Sequence, residues 1–181
     1  MKSFITFLII SCLALFSATA QENTHPADSV EVIPEYRNLY RYQNFYLSGQ
    51  PTYEALQWIK SKGAIRIINL RAEKENSEFT ASSFNEEIIA RQLGYEYWSV
   101  PVDGMKDYTP AKLEEFTNLI TGNDTILIHC ASAGRVTNFF MAYLIRSRGY
   151  TVNHAISIGR KLTFSLPLEK LLDEEIVMEI E

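Results

Sequence analysis

Short apolar runs alternate with amphipathic stretches along most of this chain. Leu39-Tyr40-Arg41-Tyr42 and Phe45-Tyr46-Leu47 read as two short strands joined by Gln43-Asn44, in a segment whose aromatics suit core and edge packing of a sheet. A helix then starts at Pro51 or Thr52, with Tyr53, Leu56, Trp58 and Ile59 on its apolar side and Gly63 as its stop. Ala64 to Leu70 reads as a strand built on Ile65, Ile67 and Ile68. Glu78 to Leu93 reads as one helix, with Phe79, Phe84, Ile88, Ile89 and Leu93 inward and Gly94 as cap. Tyr95 to Val102 is the next strand, and Pro101 puts its end at an edge or out of the sheet. Thr109 as N-cap and Pro110 at the first helical position open another helix, carrying Leu113, Phe116, Leu119 and Ile120.

The strongest pattern comes next. Thr125-Ile126-Leu127-Ile128 is a buried-strand run, followed by a short loop and an apolar-periodic helix that Gly149 closes. Helices from Val152 to Thr163 and from just after Pro167 complete the chain, the last carrying Leu168, Leu171, Leu172, Ile176 and Met178. Strands alternating with helices predict a single α/β domain, with a mainly parallel central sheet flanked by helices. Chemistry in such folds gathers at the carboxyl ends of the strands. Asn69 and Arg71, Asp103, and Cys130 all stand at such ends, and their convergence on one rim is expected.

Residues 1 to 20 fall outside this pattern. Lys2, the apolar run Phe4 to Phe16 and the Ala-x-Ala ending at Ala20 form a secretory signal peptide, too short to span a bilayer comfortably. Residues 21 to 32 are polar and aperiodic and read as a flexible tether, leaving 33 to 181 as the domain. The expected address is the bacterial periplasm or the medium, with no membrane span after cleavage. Lipidation at Cys12 is disfavoured, because Leu13-Ala14-Leu15-Phe16 follows it where a polar tether would be needed.

Cleavage changes the cysteine and charge picture. It removes Cys12, so Cys130 becomes the mature chain's only cysteine and no internal disulfide can form. It also removes one lysine and no acid, leaving 16 basic against 22 acidic residues and a formal charge of −6. Nothing in that balance favours nucleic acid, so any anion capture must be local. A monomer is expected.

Candidate chemistry centres on the strand, loop and helix at 124 to 148. Ala131, Ser132, Ala133, Gly134, Arg135 and Val136 form a small-residue loop entering a helix N-terminus, where free N–H groups and the helix dipole favour an anion. Cys130, at the strand end, is placed as a thiolate nucleophile. Arg135 can turn back over the loop and clamp paired phosphoryl oxygens. His129 is expected to fix the cysteine's backbone and to favour the thiolate. Asp103, in a Gly-containing loop after a strand, is the candidate general acid, with Asp107 as the alternative. Ser48-Gly49-Gln50-Pro51 breaks the strand pattern, and Gly49 is expected to adopt a backbone shape other residues avoid. Arg71 can pair with Glu73 or Glu75 or assist an anionic substrate. No His-x-His, Cys-x-x-Cys or clustered Asp pattern offers a metal site, and neither metal nor cofactor is expected.

His129, Cys130, Arg135 and Thr137 resemble the signature of the cysteine-dependent tyrosine and dual-specificity phosphatase superfamily. Four residues separate Cys130 from Arg135, one fewer than the usual loop, and Gly134 stands one place later than the usual loop glycine. The compact branch of beta-lactamase hydrolase-like phosphatases is similar in carrying this shorter spacing. Its Ser-Gly-Gln-Pro and Ile-Asn-Leu-Arg motifs have counterparts in Ser48-Gly49-Gln50-Pro51 and Ile68-Asn69-Leu70-Arg71, and the resemblance spans about residues 37 to 165. It implies a dual-specificity-phosphatase-like fold, a phosphorylated protein or small molecule as substrate, and a cysteinyl-phosphate intermediate. It also implies that Gly49 and Gln50 lie beside the phosphate loop, that the acid comes from the Asp103 loop, and that the Thr137 hydroxyl eases release of the thiolate. Two other readings stay open. The short loop length is shared with rhodanese-type sulfurtransferases, in which Cys130 would carry a persulfide. A non-catalytic phosphate- or phosphopeptide-binding module would need Arg135 and the helix N-terminus but not the thiol.

Overall fold

The computed structural model describes residues 29–81, 84–163 and 168–176. Its strands are β1 (Val30–Val32), β2 (Leu39–Tyr42), β3 (Phe45–Ser48), β4 (Ala64–Asn69), β5 (Glu96–Ser99) and β6 (Thr125–His129). Its helices are α1 (Tyr53–Ser61), α2 (Glu73–Ala81), α3 (Glu86–Gln92), α4 (Pro110–Thr117), α5 (Gly134–Arg148), α6 (Val152–Gly159) and α7 (Leu168–Leu172), with a 3-10 turn at Gly104–Asp107. The six strands form one sheet in the order β1-β2-β3-β6-β4-β5. The β3–β6, β6–β4 and β4–β5 pairs are parallel; β1–β2 and β2–β3 are antiparallel. The architecture is therefore the expected single α/β domain with a mainly parallel sheet between helices.

Alternation along the strands sorts the core into two layers. Ile126 and Ile128 of β6, Phe45 and Leu47 of β3, and Ile68 of β4 join Phe139, Phe140 and the buried faces of α4, α6 and α7. Leu127, Tyr46 and Ile67 face the other way, onto Leu56 and Ile59 of α1 and Ala90 of α3. α5 runs through the middle of its layer, buried continuously from Val136 to Leu144. A Cβ on Gly159 would lie 2.2 Å from the Met141 sulfur, so the absence of a side chain there lets α6 cross α5.

Register delivers the site. Ser48 pairs with His129, His129 with Asn69, and Asn69 with Ser99, so four strand ends finish at one level. β6 lies between β3 and β4, and the connection through α1 passes across it. That places the end of β6 in the crevice where ligands enter such sheets.

Three expectations need correction. The tether assigned to 21–32 ends in strand β1, because Val30–Val32 pairs with β2 in regular antiparallel register. The single helix of 78–93 is two: α2 begins earlier, at Glu73, and Asn85 starts α3 by accepting the Ile88 N–H on its side chain. Ile88, expected inward, is 54% exposed as a result. α6 stops at Gly159, short of Thr163. The signal peptide of 1–20, the remainder of the tether up to residue 28, and Met178 lie outside the described residues.

Candidate active site

Cys130 follows directly on β6 and is buried. Its N–H donates to the Ser48 carbonyl (3.2 Å), and the preceding His129 carbonyl accepts from Leu70 N–H (2.8 Å). The loop is tied to the end of β3 by a bridge between Gly49 and Ser132 and by donation from Gln50 N–H to the Ala131 carbonyl (3.1 Å). Gly49 and Gln50 thus lie beside the loop, as expected, but for a different reason in the case of Gly49. Its φ is not positive. A Cβ there would sit 3.1 Å from the Ala131 carbonyl oxygen and 3.4 Å from Ser132 Cα, so close approach is what calls for glycine.

The left-handed residue is Ala133, at φ 72° and ψ −10°, where it caps α5. Most L-residues pay to adopt this conformation, and glycine does not. The loop glycine has moved one place on, to Gly134, and alanine carries the turn. Ala133→Gly is therefore expected to stabilise the protein by about 0.5–1 kcal/mol, strain relief outweighing glycine's extra unfolded-state entropy. A urea midpoint that rises would show it, and one that falls would refute it.

The first helical hydrogen bond of α5 runs from Thr137 N–H to the Ala133 carbonyl (2.9 Å). The amides of Gly134, Arg135 and Val136 precede it and have no intrahelical acceptor. They are placed as the anion cradle expected at this loop would require, and Ala131 and Ser132 before them are exposed. Thr137 is buried, and its hydroxyl donates to the Ala133 carbonyl (3.0 Å) and accepts from Thr163 N–H (3.4 Å). Local back-bonding of this sort is what a threonine in a helical first turn does readily.

Arg135 is held from the far side by Glu75 of α2. Its Nη1 donates to Glu75 Oε2 (2.6 Å) and to the Val102 carbonyl (2.9 Å), and Nη2 donates to Glu75 Oε1 (2.8 Å). Glu75 Oε2 also accepts from Ala72 N–H (2.8 Å). Burial opposes the guanidinium charge, but the hydrogen bonds to Glu75 and the pull of Cys130 outweigh it and hold the Arg135 pKa above its ordinary value. The Arg135 hydrogen bond correspondingly holds the Glu75 carboxyl below its usual range, against a smaller opposing effect of burial.

A pH dependence follows. The folded pKa of Glu75 lies below its unfolded value of about 4.3. The pair's contribution is complete above that value and is lost as pH falls through the lowered folded pKa. In urea unfolding, wild type and Glu75→Gln are expected to differ by a constant amount from pH 7 to about 5 and by progressively less as pH falls below about 4.3. A difference that does not shrink on acidification below that pH would contradict the assignment.

Arg71 is 9% exposed and stacks over Phe79 (4.9 Å to the ring centroid). Sequence suggests pairing with a Glu73 or Glu75 carboxylate; instead it donates to the Glu75 backbone carbonyl (3.0 Å) and to Gln50 Oε1 (2.5 Å). Gln50 Nε2 in turn donates to Glu86 Oε2 (3.2 Å), and Glu86 Oε1 stands 2.9 Å from His129 Nε2, both residues being buried. His129 thus lies against a buried carboxylate from α3, without a hydrogen bond between the two. Asp103 is exposed and pairs with Lys106 (2.5 Å), while its N–H donates to the half-buried Asp107 carboxylate (2.6 Å). It directly follows Val102, whose carbonyl touches Arg135, so the acid loop does reach the rim.

Glu86, Tyr108 and Asn138 escape the sequence reading, which names Glu75 only as a partner for Arg71 and not for Arg135. Burial raises the Tyr108 pKa, the Cys130 charge adds to that, and its hydroxyl accepts from Asn138 Nδ2 (3.3 Å). The signal available for Glu75 is its place among the acids that open α2 just past the carboxyl end of β4. An open groove lined by Gln50, Tyr53, Phe79 and Phe84 adjoins the same rim. Among the described residues no cluster of His, Cys, Asp and Glu could hold a metal, and no helix is long and apolar enough to cross a membrane.

The model of one family, described as DSP-PTPase phosphatase fused to NAD+ kinase, matches residues 22–170. None of the curated proteins matches the chain. Among solved structures it is similar to a DUF442 protein from Shewanella putrefaciens CN-32 assigned as a phosphatase, at 19% identity and a TM-score of 0.56, covering 76% of this chain and 89% of that one. It is also similar to TpbA from P. aeruginosa in complex with pTyr, at 14% identity and a TM-score of 0.57, covering 76% and 80%. A protein from Neisseria meningitidis Z2491, likewise assigned as a phosphatase, aligns at 21% identity and a TM-score of 0.51, covering 64% and 81%. At these identities the likeness is one of fold.

Proposed function

We propose, because this chain belongs to the DSP-PTPase phosphatase family, that it hydrolyses phosphomonoesters through a cysteinyl-phosphate on Cys130. Membership makes it a cysteine-based hydrolase of the tyrosine and dual-specificity type and implies a phosphorylated substrate. The observation that carries the mechanism is the placing of Cys130 at the end of the central strand, directly before the loop that enters the N-terminus of α5 at Gly134 and Arg135.

The Cys130 thiolate attacks phosphorus, an S–P bond forms, and the ester P–O bond breaks with its electron pair on the departing oxygen. The amides of Gly134 to Val136 and the guanidinium of Arg135 hold the equatorial oxygens throughout. Asp103, once protonated and released from Lys106, gives its proton to the leaving oxygen. Its carboxylate then takes a proton from water, which attacks phosphorus and breaks the S–P bond. Asp107 is the alternative acid. The Tyr53, Phe79 and Phe84 groove is suited to the remainder of an aromatic ester, and phosphotyrosine, found in TpbA, is the first natural substrate to try. The signal-like residues 1 to 20 support export to the periplasm or beyond as a monomer that handles no nucleic acid. N-terminal sequencing of the mature protein tests the cleavage site after Ala20.

The decisive experiment is steady turnover of an aryl phosphate by residues 21–181 under reducing conditions, followed by acid quench and detection of phosphate on Cys130. Phosphate release with a trapped phosphocysteine supports the mechanism, and no release refutes it. The four-residue spacing between Cys130 and Arg135 favours a second reading, sulfur transfer from thiosulfate to cyanide through a Cys130 persulfide. Thiocyanate formation without phosphate release would establish that one.

A further inference from the structure

We propose that Tyr108 and Asn138 are positioning residues of this site: their contact pins the far end of the acid loop, residues 103 to 107, to α5 and so fixes where the loop carboxylates stand relative to Cys130. The inference rests on the reading of that loop as the source of the general acid and deepens it.

The hydrogen bonds of the loop run within itself and to the residues that follow it. Asp103 N–H donates to Asp107, Lys106 pairs with Asp103, Tyr108 N–H donates to the Met105 carbonyl (3.4 Å) and Thr109 N–H to the Asp107 carbonyl (3.0 Å). Asp103, Gly104, Met105 and Lys106 are exposed. These bonds set the shape of the loop and leave its place on the rim to its two ends. The near end is Val102, fully buried, whose carbonyl accepts from Arg135 Nη1. The far end is Tyr108, 8% exposed. Its ring meets Phe139 edge to face, with centroids 5.6 Å apart, and its hydroxyl accepts from Asn138 Nδ2. Ring packing alone would be served by phenylalanine; the hydroxyl adds a directed bond. Asn138 is a buried polar side chain on a mostly apolar stretch of α5, and burying it is costly unless it is hydrogen-bonded. It stands three positions beyond Arg135, on the same face of the helix. Neighbouring positions of one helix therefore hold both ends of the loop, and that helix also presents the Gly134 to Val136 amides. The near-end contact belongs to a residue that must also serve substrate. The far-end contact does not, so it keeps the loop in place before and after the phosphoryl group arrives.

Two aryl phosphates that differ in how much the leaving group needs a proton test the proposal. Tyr108→Phe keeps the ring against Phe139 and removes only the hydroxyl. It should lower kcat/KM for phenyl phosphate by about tenfold, part of the roughly 10²–10⁴-fold that a positioned acid contributes. For dinitrophenyl phosphate, whose phenolate leaves without a proton, the loss should stay below about twofold. With Asp103→Asn and Asp107→Asn both in place, Tyr108→Phe should cost almost nothing more on phenyl phosphate, because its effect passes through the acids. Equal losses on the two esters would mark a merely loosened fold and overturn the proposal. A Tyr108→Phe enzyme within about twofold of wild type on phenyl phosphate would overturn it too. Hydrogen exchange reads the anchor without turnover. The Asp103, Tyr108 and Thr109 amides should exchange at least about threefold faster in Tyr108→Phe, and the amides in the middle of α5 at the wild-type rate. Unchanged exchange in the loop would refute the anchor. Faster exchange in a protein whose wild type hydrolyses neither ester would support the anchor and sink the phosphatase mechanism alone.

Discussion

Cys130→Ser is expected to lower phosphate release by about 10⁴-fold or more while leaving the protein folded. The substitution keeps the size and backbone of the residue and removes only the sulfur. A serine hydroxyl is a weak nucleophile unless a base takes its proton, and the first step offers none. The imidazole of His129 is buried against Glu86, Asp103 enters that step as the acid, and Asp107 caps the Asp103 N–H. Phosphate should still bind, because the amide cradle and Arg135 are untouched. The expected pattern is lost turnover, retained affinity for inorganic phosphate and a urea midpoint close to wild type. Turnover that survives at a tenth of wild type or better would show that phosphorus is attacked by water rather than sulfur. Lost phosphate binding would instead make the thiol part of the ligand site.

The centre of the molecule was legible because local signals agreed there. Ile126-Leu127-Ile128 can hardly be other than a buried strand, and Gly149 ends the following helix at φ 71° as its position demands. Thr109 and Pro110 start α4 by side-chain capping, which is written in two adjacent residues. That the strands ending near Asn69 and Cys130 reach one rim followed from the alternation of elements, and in the register Asn69 stands level with His129. What stayed hidden depends on contacts distant in sequence. Glu75 is 60 residues from Arg135, and an acid in the first turn of a helix is ordinary enough to pass as dipole compensation. Glu86 reads as a solvated helix residue until α3 folds over the end of β6. The split between α2 and α3 was missed because Phe79, Phe84, Ile88 and Ile89 imitate one apolar stripe, although Asn85 interrupts it with a cap. Gly49 and Ala133 show the same limit at the backbone level. The glycine answers to the carbonyl of a loop some 80 residues away, and the alanine holds a turn where glycine would be the local choice.

Arg135→Lys should show which property of the arginine matters. Both side chains are cationic, so a role limited to charge would survive the exchange with a modest loss. The structure asks for more than charge. Arg135 bonds two Glu75 oxygens and the Val102 carbonyl at once, through a rigid planar fork that a point-like ammonium cannot reproduce. Lysine would have to choose between the carboxylate and a phosphoryl group. Glu75, anchored by Ala72 N–H, is placed to win that competition in the ground state and draw the ammonium away from the loop. The expected loss in kcat/KM is therefore about 10²–10³-fold, or about 3–4 kcal/mol of transition-state stabilisation, similar to deletion of an oxyanion donor. Adding Glu75→Gln to Arg135→Lys should then restore part of the activity by freeing the ammonium, whereas the same change in wild type should reduce it. Opposite signs in the two backgrounds would identify the carboxylate as the group that decides where the positive charge points. A loss below tenfold for Arg135→Lys would mean that the amides of Gly134, Arg135 and Val136 hold the phosphoryl oxygens nearly unaided.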